Sequence, residues 1–239
     1  MLDQSKQIAI FTGAGISTES GIPDFRSPNG IWSKMVPIEF SDFVNSEEQR
    51  KEAWRRKIII DKDFQQAEPN RGHRAVAELV RCGRCFCVIT QNIDGLHQRS
   101  GIPPEKIIEI HGNGTYAKCL DCGKRYELAP IYANFSRDET TPRCEDCNGI
   151  VKTATISFGQ AMPAVEMQRA ADVAENCDLM IAIGSSLVVY PAASFPSHAK
   201  RAGAQFVIIN REETEQDQIA DLVINAEIGE TLGSAVGIE

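Results

Sequence analysis

Two pairs of cysteines have the spacing of metal ligands. They are Cys119-x2-Cys122 and Cys144-x2-Cys147, and 21 residues separate the pairs, slightly more than is usual for a zinc ribbon. Four thiolates in this arrangement suit a closed, tetrahedral zinc ion. Because a closed site offers no open position to a substrate, we predict one structural zinc per chain rather than a catalytic metal.

A lone histidine, His111, precedes the first cysteine pair by eight residues. Imidazole can act as a general base near neutral pH, although a lone histidine is more often structural. Its position just before a metal-bound module predicts a catalytic residue in a cleft between two parts of the molecule. We expect the other three histidines, His73, His97 and His198, to be structural.

The elements that would position these groups follow from the apolar runs. Five short runs, at residues 7–11, 86–90, 179–183, 205–209 and 222–224, are typical of buried strands. Helical patterns occupy residues 47–60, 71–81, 163–176 and 191–201. Continuous apolar strands that alternate with helices predict an α/β fold, with a parallel sheet covered by helices on both faces.

Polar or glycine-rich segments follow four of these strands. In open parallel sheets the ligand lies at the carboxyl ends of the strands, so these segments should converge on one site. They are residues 13–17, 91–94 and 184–186, and Asn210. Their convergence predicts a ligand site more strongly than any one of them does.

Each of these motifs also has a purely structural reading. Gly13-Ala14-Gly15 would let backbone amides approach a pyrophosphate, but Thr18 stands where the full fingerprint has a third glycine, so a tight turn stays an alternative. In the 91–94 segment, Asn92 and Asp94 would point to the same side of an extended chain. The alternative for that pair is helix capping.

The loop that follows the first glycine turn combines an aromatic ring with a guanidinium group. Phe25 could cover a flat ring, and Arg26 could contact phosphate. A surface loop with a local pair between Asp24 and Arg26 is the alternative.

Composition excludes some classes of function. The chain has 239 residues and a net charge of −8, which argues against non-specific binding to nucleic acid or to an anionic membrane. The sequence shows no secretion signal, no transit peptide and no apolar run as long as a membrane span, so we expect a cytoplasmic protein. Paired cysteines in a reducing compartment are better explained as metal ligands than as disulfides. Cys82, Cys85 and Cys87 are expected to be unliganded, as core cysteines often are.

Taken together, the motifs resemble those of the sirtuin family of NAD-dependent protein deacylases. They occur in the family's order and span nearly the whole chain. The matching segments are residues 13–17, 21–26, 90–97 and 111–112, both cysteine pairs, Phe158-Gly159, residues 184–186 and Asn210.

The resemblance implies a Rossmann-like large domain and a small domain made of a zinc ribbon and a helical insert. The large domain would comprise residues 1–30, 71–115 and 154–239. Residues 31–70 would form the helical insert, and residues 116–153 would form the zinc-ribbon module. NAD and the acyl-lysine would enter the cleft between the two domains from opposite sides.

The resemblance also implies a role for each site residue. His111 would be the general base. The NAD contacts would come from Gly13, Ala14, Gly15, Ile16, Ser17, Phe25, Arg26, Gln91, Asn92, Ile93, Asp94, Gly184, Ser185, Ser186, Asn210 and Ile228. Ile156 and Phe158 would line the acyl-lysine tunnel, and Cys119, Cys122, Cys144 and Cys147 would bind the zinc ion.

The implied reaction transfers an acyl group from a protein lysine to ADP-ribose and releases nicotinamide. The substrates would be acylated-lysine proteins, and the products free lysine, nicotinamide and 2′-O-acyl-ADP-ribose. A mono-ADP-ribosyltransferase or an NAD glycohydrolase on the same scaffold is the alternative. An NAD-sensing or zinc-ribbon interaction module and a hydride-transferring dehydrogenase are less favoured.

The chain departs from the family pattern around residues 151–160. The stretch before Phe158 lacks the family's proline, and Gln160 replaces a glutamate. Residues 31–60 also lack the Tyr-x-x-Arg pair that marks recognition of succinyl or malonyl groups. Neutral acyl groups are therefore expected, with longer lipid-like or lipoyl chains left open.

Overall fold

Nine strands form two sheets in the part of the chain that the structure describes. The computed structural model describes residues 1–28 and 30–239; residue 29, within the first predicted domain segment, lies outside them. The strands are β1 (Ile8–Thr12), β2 (Cys85–Thr90), β3 (Ile107–Glu109), β4 (Gly112–Cys119), β5 (Arg125–Glu127), β6 (Val151–Thr155), β7 (Leu179–Ile183), β8 (Gln205–Ile209) and β9 (Leu222–Ile224). Six of them form a parallel sheet in the order β3-β2-β1-β7-β8-β9, and the other three form an antiparallel sheet in the order β5-β4-β6.

Nine α-helices are assigned within the described residues. They are α1 (Ile31–Lys34), α2 (Phe40–Asn45), α3 (Glu47–Gln66), α4 (Arg71–Arg81), α5 (Leu96–Arg99), α6 (Leu128–Asp138), α7 (Ala164–Asn176), α8 (Ser194–Arg201) and α9 (Ile228–Val236). None of the helices in residues 1–28 and 30–239 is both long and apolar enough to cross a membrane.

Both faces of the parallel sheet are buried, because side chains alternate along each strand. On one face Phe11 of β1 shares an apolar core with Ala174 of α7 and Phe195 of α8. On the other face Ile10 shares a core with Leu79 of α4 and Leu232 of α9. Two covered faces explain why the central strands are continuous apolar runs.

A third apolar core joins the antiparallel sheet to the helical insert. Trp54 of α3 is 2% exposed and packs in one cluster with Ala117 of β4, Val151 of β6 and Phe135 of α6. The helices of residues 31–70 and the cysteine-bearing module therefore share buried surface, although they are distant in the sequence.

The predicted α/β fold is confirmed, with local differences. The elements that the sequence patterns missed include β3, which has three residues, α6, which lies inside the predicted zinc module, and the last helix, α9. A 3-10 helix, Ala14–Ser20, follows the first glycine turn. β4 begins at Gly112 and β6 ends at Thr155, so both strands extend past the predicted 116–153 boundaries. The division into three segments stays a prediction.

Candidate functional site

A cavity of about 510 Å³ lies at the carboxyl ends of β1, β2, β7 and β8, the position expected for a ligand in such a sheet. Its size is within the range of cofactor sites. Most of the residues that the sequence singled out line it: Gly13, Ala14, Gly15, Phe25, Arg26, Gln91, Asn92, Ile93, His111, Ile156, Phe158, Gly184, Ser185, Ser186, Asn210 and Ile228.

Glycines let two strand ends meet backbone to backbone on one wall of the cavity. A Cβ atom on Gly13 would lie 2.7 Å from the Gly184 carbonyl oxygen, and one on Gly15 would lie 2.7 Å from the Gly184 Cα atom. Both distances are too short for real Cβ contacts, so only glycine fits at these positions. The exposed backbone forms a surface that a pyrophosphate could approach closely, which fits the predicted NAD site.

Three predicted cofactor residues lie behind the cavity wall rather than in it. The Ile16 side chain is fully buried and belongs to the core between the sheet, α4 and α9. Ser17 and Asp94 are also buried, and the Ser17 hydroxyl donates to Asp94 Oδ2 at 2.7 Å. Asp94 Oδ1 accepts from the Leu96 amide at 2.9 Å, so this side chain also holds the first residue of α5. Any contact of these three with a cofactor would be indirect or through the backbone.

The His111 imidazole faces the cavity with one nitrogen held by the backbone. Its Nδ1 atom lies 3.2 Å from the Gln91 carbonyl oxygen. A carbonyl oxygen only accepts hydrogen bonds, so Nδ1 carries the proton and Nε2 keeps a free lone pair. Burial lowers the pKa of His111 below its ordinary value, and the positive charge of Arg26 lowers it further. The neutral, basic form therefore predominates near neutral pH.

Amide side chains tie the strand ends together around the cavity. Asn92 Nδ2 donates to the Gly13 carbonyl oxygen at 3.0 Å, which links the end of β2 to the end of β1. Gln91 Nε2 donates to Ser185 Oγ at 2.9 Å, which links it to the end of β7. Asn210, after β8, donates to the carbonyl of Glu212 at 2.7 Å. These bonds make the cavity wall a preformed polar surface.

Three aromatic rings form a continuous stack at the cavity. Trp32 of α1 lies between Phe25 and Phe158, with ring centroids 5.4 and 5.3 Å apart. The Arg26 guanidinium carbon lies 4.4 Å from the Trp32 ring centroid, within range of a cation–π contact. The stack connects the loop proposed for the cofactor with the residue proposed for the acyl-lysine.

The segment after β6 is fixed by backbone hydrogen bonds. The Ile156 amide donates to the His111 carbonyl at 2.8 Å, and the Phe40 amide donates to the Phe158 carbonyl at 2.8 Å. Gln160 closes a local turn, since its Oε1 atom accepts from the Ser157 amide at 3.1 Å. The amide at position 160, where the family pattern has a glutamate, thus has a structural partner within its own loop.

The four cysteines of the two doublets form one cluster. Their Sγ atoms all lie within 4.8 Å of one another, and the Cys119–Cys147 and Cys122–Cys144 pairs are each 3.5 Å apart. A tetrahedral zinc with bonds of about 2.3 Å needs sulfur atoms about 3.8 Å apart. The four thiols therefore fit a closed zinc site, whereas Cys82, Cys85 and Cys87 lie outside the cluster.

Sequence patterns do not indicate every residue that lines the cavity. Trp32 lines it without having been predicted, although an aromatic residue so close to Phe25 and Arg26 in the sequence was a usable signal. Ile38 and Met162 also line it, and no local pattern marks them because they are distant in the sequence from the carboxyl ends of the parallel strands.

Comparisons with known proteins identify relatives over the whole chain. The Sir2 family model matches residues 13–191. The chain is 60% identical to NAD-dependent protein deacetylase 1 of Bradyrhizobium diazoefficiens, over 99% of this chain and 93% of the relative. It is 57% identical to an NAD-dependent protein deacetylase of Rhodopseudomonas palustris, over 99% and 94%. A solved structure of Sir2 with a p53 peptide and NAD⁺ has a TM-score of 0.88 and 37% identity, over 99% of this chain and 94% of that chain.

Proposed function

This chain belongs to the Sir2 family, and on that basis we propose how its residues perform NAD-dependent protein-lysine deacylation. The chain is an NAD-dependent deacylase of acylated-lysine proteins, like the deacetylases with which it shares 57–60% of its residues. It uses NAD and a structural zinc ion.

The glycine wall and the polar strand ends would hold the cofactor. Bound NAD supplies the ADP-ribosyl group that accepts the acyl group as nicotinamide leaves. The backbone of Gly13, Gly15 and Gly184 offers close approach to its phosphates, and Asn92 is already oriented by the Gly13 carbonyl. Preformed hydrogen-bonding groups do not have to reorganise when the ligand binds.

The tautomer of His111 is the observation that carries the proposed mechanism. Because the Gln91 carbonyl holds the Nδ1 proton, the Nε2 lone pair is available to take a proton from a hydroxyl group in the cleft. A general base works best when its unprotonated form predominates at the working pH, and burial provides this for His111. The proton would thus move to Nε2 of His111 during acyl transfer.

The aromatic stack would exclude water from the reacting groups. Phe25, Trp32 and Phe158 line the same cavity as His111. Water in the cleft would compete with the acyl group and hydrolyse NAD unproductively. We therefore assign the stack a role in directing the reaction toward acyl transfer.

Neutral acyl groups fit the proposed acyl-lysine side of the cleft best. Its wall includes the apolar side chains of Ile38, Ile156 and Met162. A charged succinyl or malonyl group would lose its hydration against these apolar side chains. The proposed compartment is the cytoplasm, where thiols stay reduced and available to zinc, and the net charge of −8 argues against direct nucleic-acid binding.

A product assay by mass spectrometry tests the proposal. The protein is incubated with NAD and peptides that carry acetyl-, butyryl-, lipoyl- or succinyl-lysine. We expect free lysine together with O-acyl-ADP-ribose, and loss of both in His111→Ala. His198→Ala is the matched control, because His198 lies on α8 and does not line the cavity. Consumption of NAD without lysine release, or ADP-ribose attached to protein, would favour the transferase or glycohydrolase instead.

A further inference from the structure

Two histidines are buried side by side behind the cavity. His73 of α4 is 0% exposed and His97 of α5 is 2% exposed. Their rings meet edge to face, with centroids 5.2 Å apart. Neither histidine lines the cavity. The Nε2 atom of His97 contacts the Thr12 hydroxyl, and that of His73 contacts the Ser17 hydroxyl. Each hydroxyl is in turn hydrogen-bonded to residues at or just after the end of β2.

The first chain of hydrogen bonds runs from His97 to the end of β2. His97 Nε2 lies 2.9 Å from Thr12 Oγ1, and the Thr12 hydroxyl donates to Thr90 Oγ1 at 2.8 Å. Because the Thr12 proton is already used, its oxygen must accept a proton from His97. Thr90 Oγ1 in turn accepts from the Asn92 backbone amide at 3.0 Å. His97 therefore supports the backbone of Asn92.

The second chain runs from His73 to Asp94. The Ser17 hydroxyl donates to Asp94 Oδ2 at 2.7 Å, so Ser17 Oγ can only accept from its other neighbours. These are Asn92 Nδ2 at 3.3 Å and His73 Nε2 at 3.5 Å. His73 therefore also presents Nε2–H, here to the hydroxyl that orients the Asp94 carboxylate.

Both chains require the same tautomer. With the proton on Nε2, each Nδ1 atom is an acceptor, and neither Nδ1 finds a partner in the described part of the chain. Burial lowers the pKa of His73 to about 3 and that of His97 to about 4. The pair is therefore uncharged at neutral pH, and each ring has one proton to donate.

We propose that His73 and His97, as neutral Nε2–H tautomers, are positioning residues that fix Asn92 in the cavity wall and Ser17 and Asp94 directly behind it. This inference rests on the proposed function, in which Asn92 belongs to the polar wall that holds NAD. Hydrogen bonds in a low-dielectric interior are strong and mutually reinforcing. A ring without the Nε2 proton would leave Thr12 and Ser17 free to rotate, and Asp94 would lose its fixed donor.

Paired variants separate the hydrogen bond from packing. Glutamine and leucine are similar in size, but only glutamine keeps an N–H donor. For His73→Leu and His97→Leu we expect kcat for nicotinamide release to fall about 10-fold or more, because small misplacements of reacting groups slow a reaction by factors of this size. The KM for the acyl-peptide should not change. His73→Gln and His97→Gln should recover most of the lost kcat. Equal kcat in the leucine and glutamine variants would overturn the proposal.

The tautomers can be read directly in the wild-type protein. Nitrogen-15 NMR of the histidine side chains at neutral pH should show two buried imidazoles protonated at Nε2 alone. Protonation at Nδ1, or a charged ring, would contradict the inference even if the leucine variants failed to fold. If the wild-type protein released no lysine, the proposed function would fail, while the NMR result would still test the histidine pair.

Discussion

At the scale of single residues, function depends on which atoms carry protons. One backbone carbonyl sets the tautomer of His111, and two hydroxyl groups set those of His73 and His97. Residue types alone suggested only the first of these roles. His111 could be predicted because it belongs to a recognisable sequence motif. His73 could not, because its contacts arise between elements far apart in the sequence.

The pH dependence of activity should reflect the lowered pKa of His111. A base works only when unprotonated, so kcat should fall as pH drops through the pKa of the folded protein. Because that pKa is lowered, the acid limb should lie below the ordinary value of about 6.5. Arg26→Gln removes a nearby positive charge and should move the limb to higher pH. Arg125→Gln, on the zinc module, should not. Log kcat against pH at saturating NAD checks this.

Gly112, next to His111, should not tolerate a side chain. Its φ is +72°, and a Cβ atom there would lie 2.0 Å from the Ala154 carbonyl oxygen, which no small adjustment relieves. Gly112→Ala should therefore displace β4 from β6 and lower kcat about 100-fold. Gly123→Ala is the control, since its φ of +75° is similarly strained but its Cβ would meet no atom. Steady-state kinetics and thermal unfolding of both variants separate the clash from the strain; equal losses of activity would contradict the prediction.

At the scale of elements, the sequence predicted the regular parts well. The periodicity located α4 at residues 71–81, and the apolar runs located β7, β8 and β9. It missed β3, because three residues are too few to show a period, and α6, because a cysteine framework masked its pattern. Likewise, the glycine and polar motifs predicted most of the cavity wall. Trp32 was missed because its role depends on stacking between two separate loops.

The N-cap of α4 should contribute more than an ordinary cap. Asn70 Oδ1 accepts from the His73 amide, and Asn70 Nδ2 donates to the Ile16 carbonyl at 2.7 Å and to Ser20 Oγ at 2.9 Å. Asn70→Ala loses the cap and both hydrogen bonds to the 3-10 helix Ala14–Ser20. It should therefore lower the free energy of unfolding by about 2 kcal/mol. Asn176→Ala removes one exposed contact at the end of α7 and should cost less than about 0.5 kcal/mol. Denaturant unfolding compares the two; equal costs would argue against the cap.

At the scale of the whole molecule, zinc should stabilise more than its own module. Two cysteines of the cluster, Cys119 and Cys144, share one apolar core with Trp54. Chelation of the metal, or Cys144→Ser, should therefore expose Trp54 and shift its fluorescence to longer wavelength, with loss of deacylation. Cys82→Ser, outside the cluster, should retain zinc and activity. A Trp32→Phe background assigns the signal to Trp54, the other of the two tryptophans. Loss of zinc without a fluorescence change would contradict the shared core.

Acid should destabilise the fold through the histidine pair. Unfolded histidines take up protons below a pKa of about 6.5, whereas in the folded protein these pKa values are about 3 and about 4. The unfolded state therefore binds more protons as pH falls below 6.5, and stability is lost from there downward. At pH 5 each histidine should cost about 2 kcal/mol relative to neutral pH. Urea unfolding at pH 7 and pH 5 measures the combined loss of stability from the two histidines. His97→Gln should remove about half of that combined loss.

The shared core around Trp54 also orders events during biosynthesis. Trp54 leaves the ribosome about a hundred residues ahead of Val151, a delay of about 5–20 s at usual rates of translation. Throughout that interval the apolar face of the helices in residues 31–70 has no complete sheet to pack against. Such contacts between distant parts of a chain form late. The nascent polypeptide thus cannot complete the third core, around Trp54, from its amino-terminal part alone. The apolar surface of this core stays exposed until β6 has been synthesised.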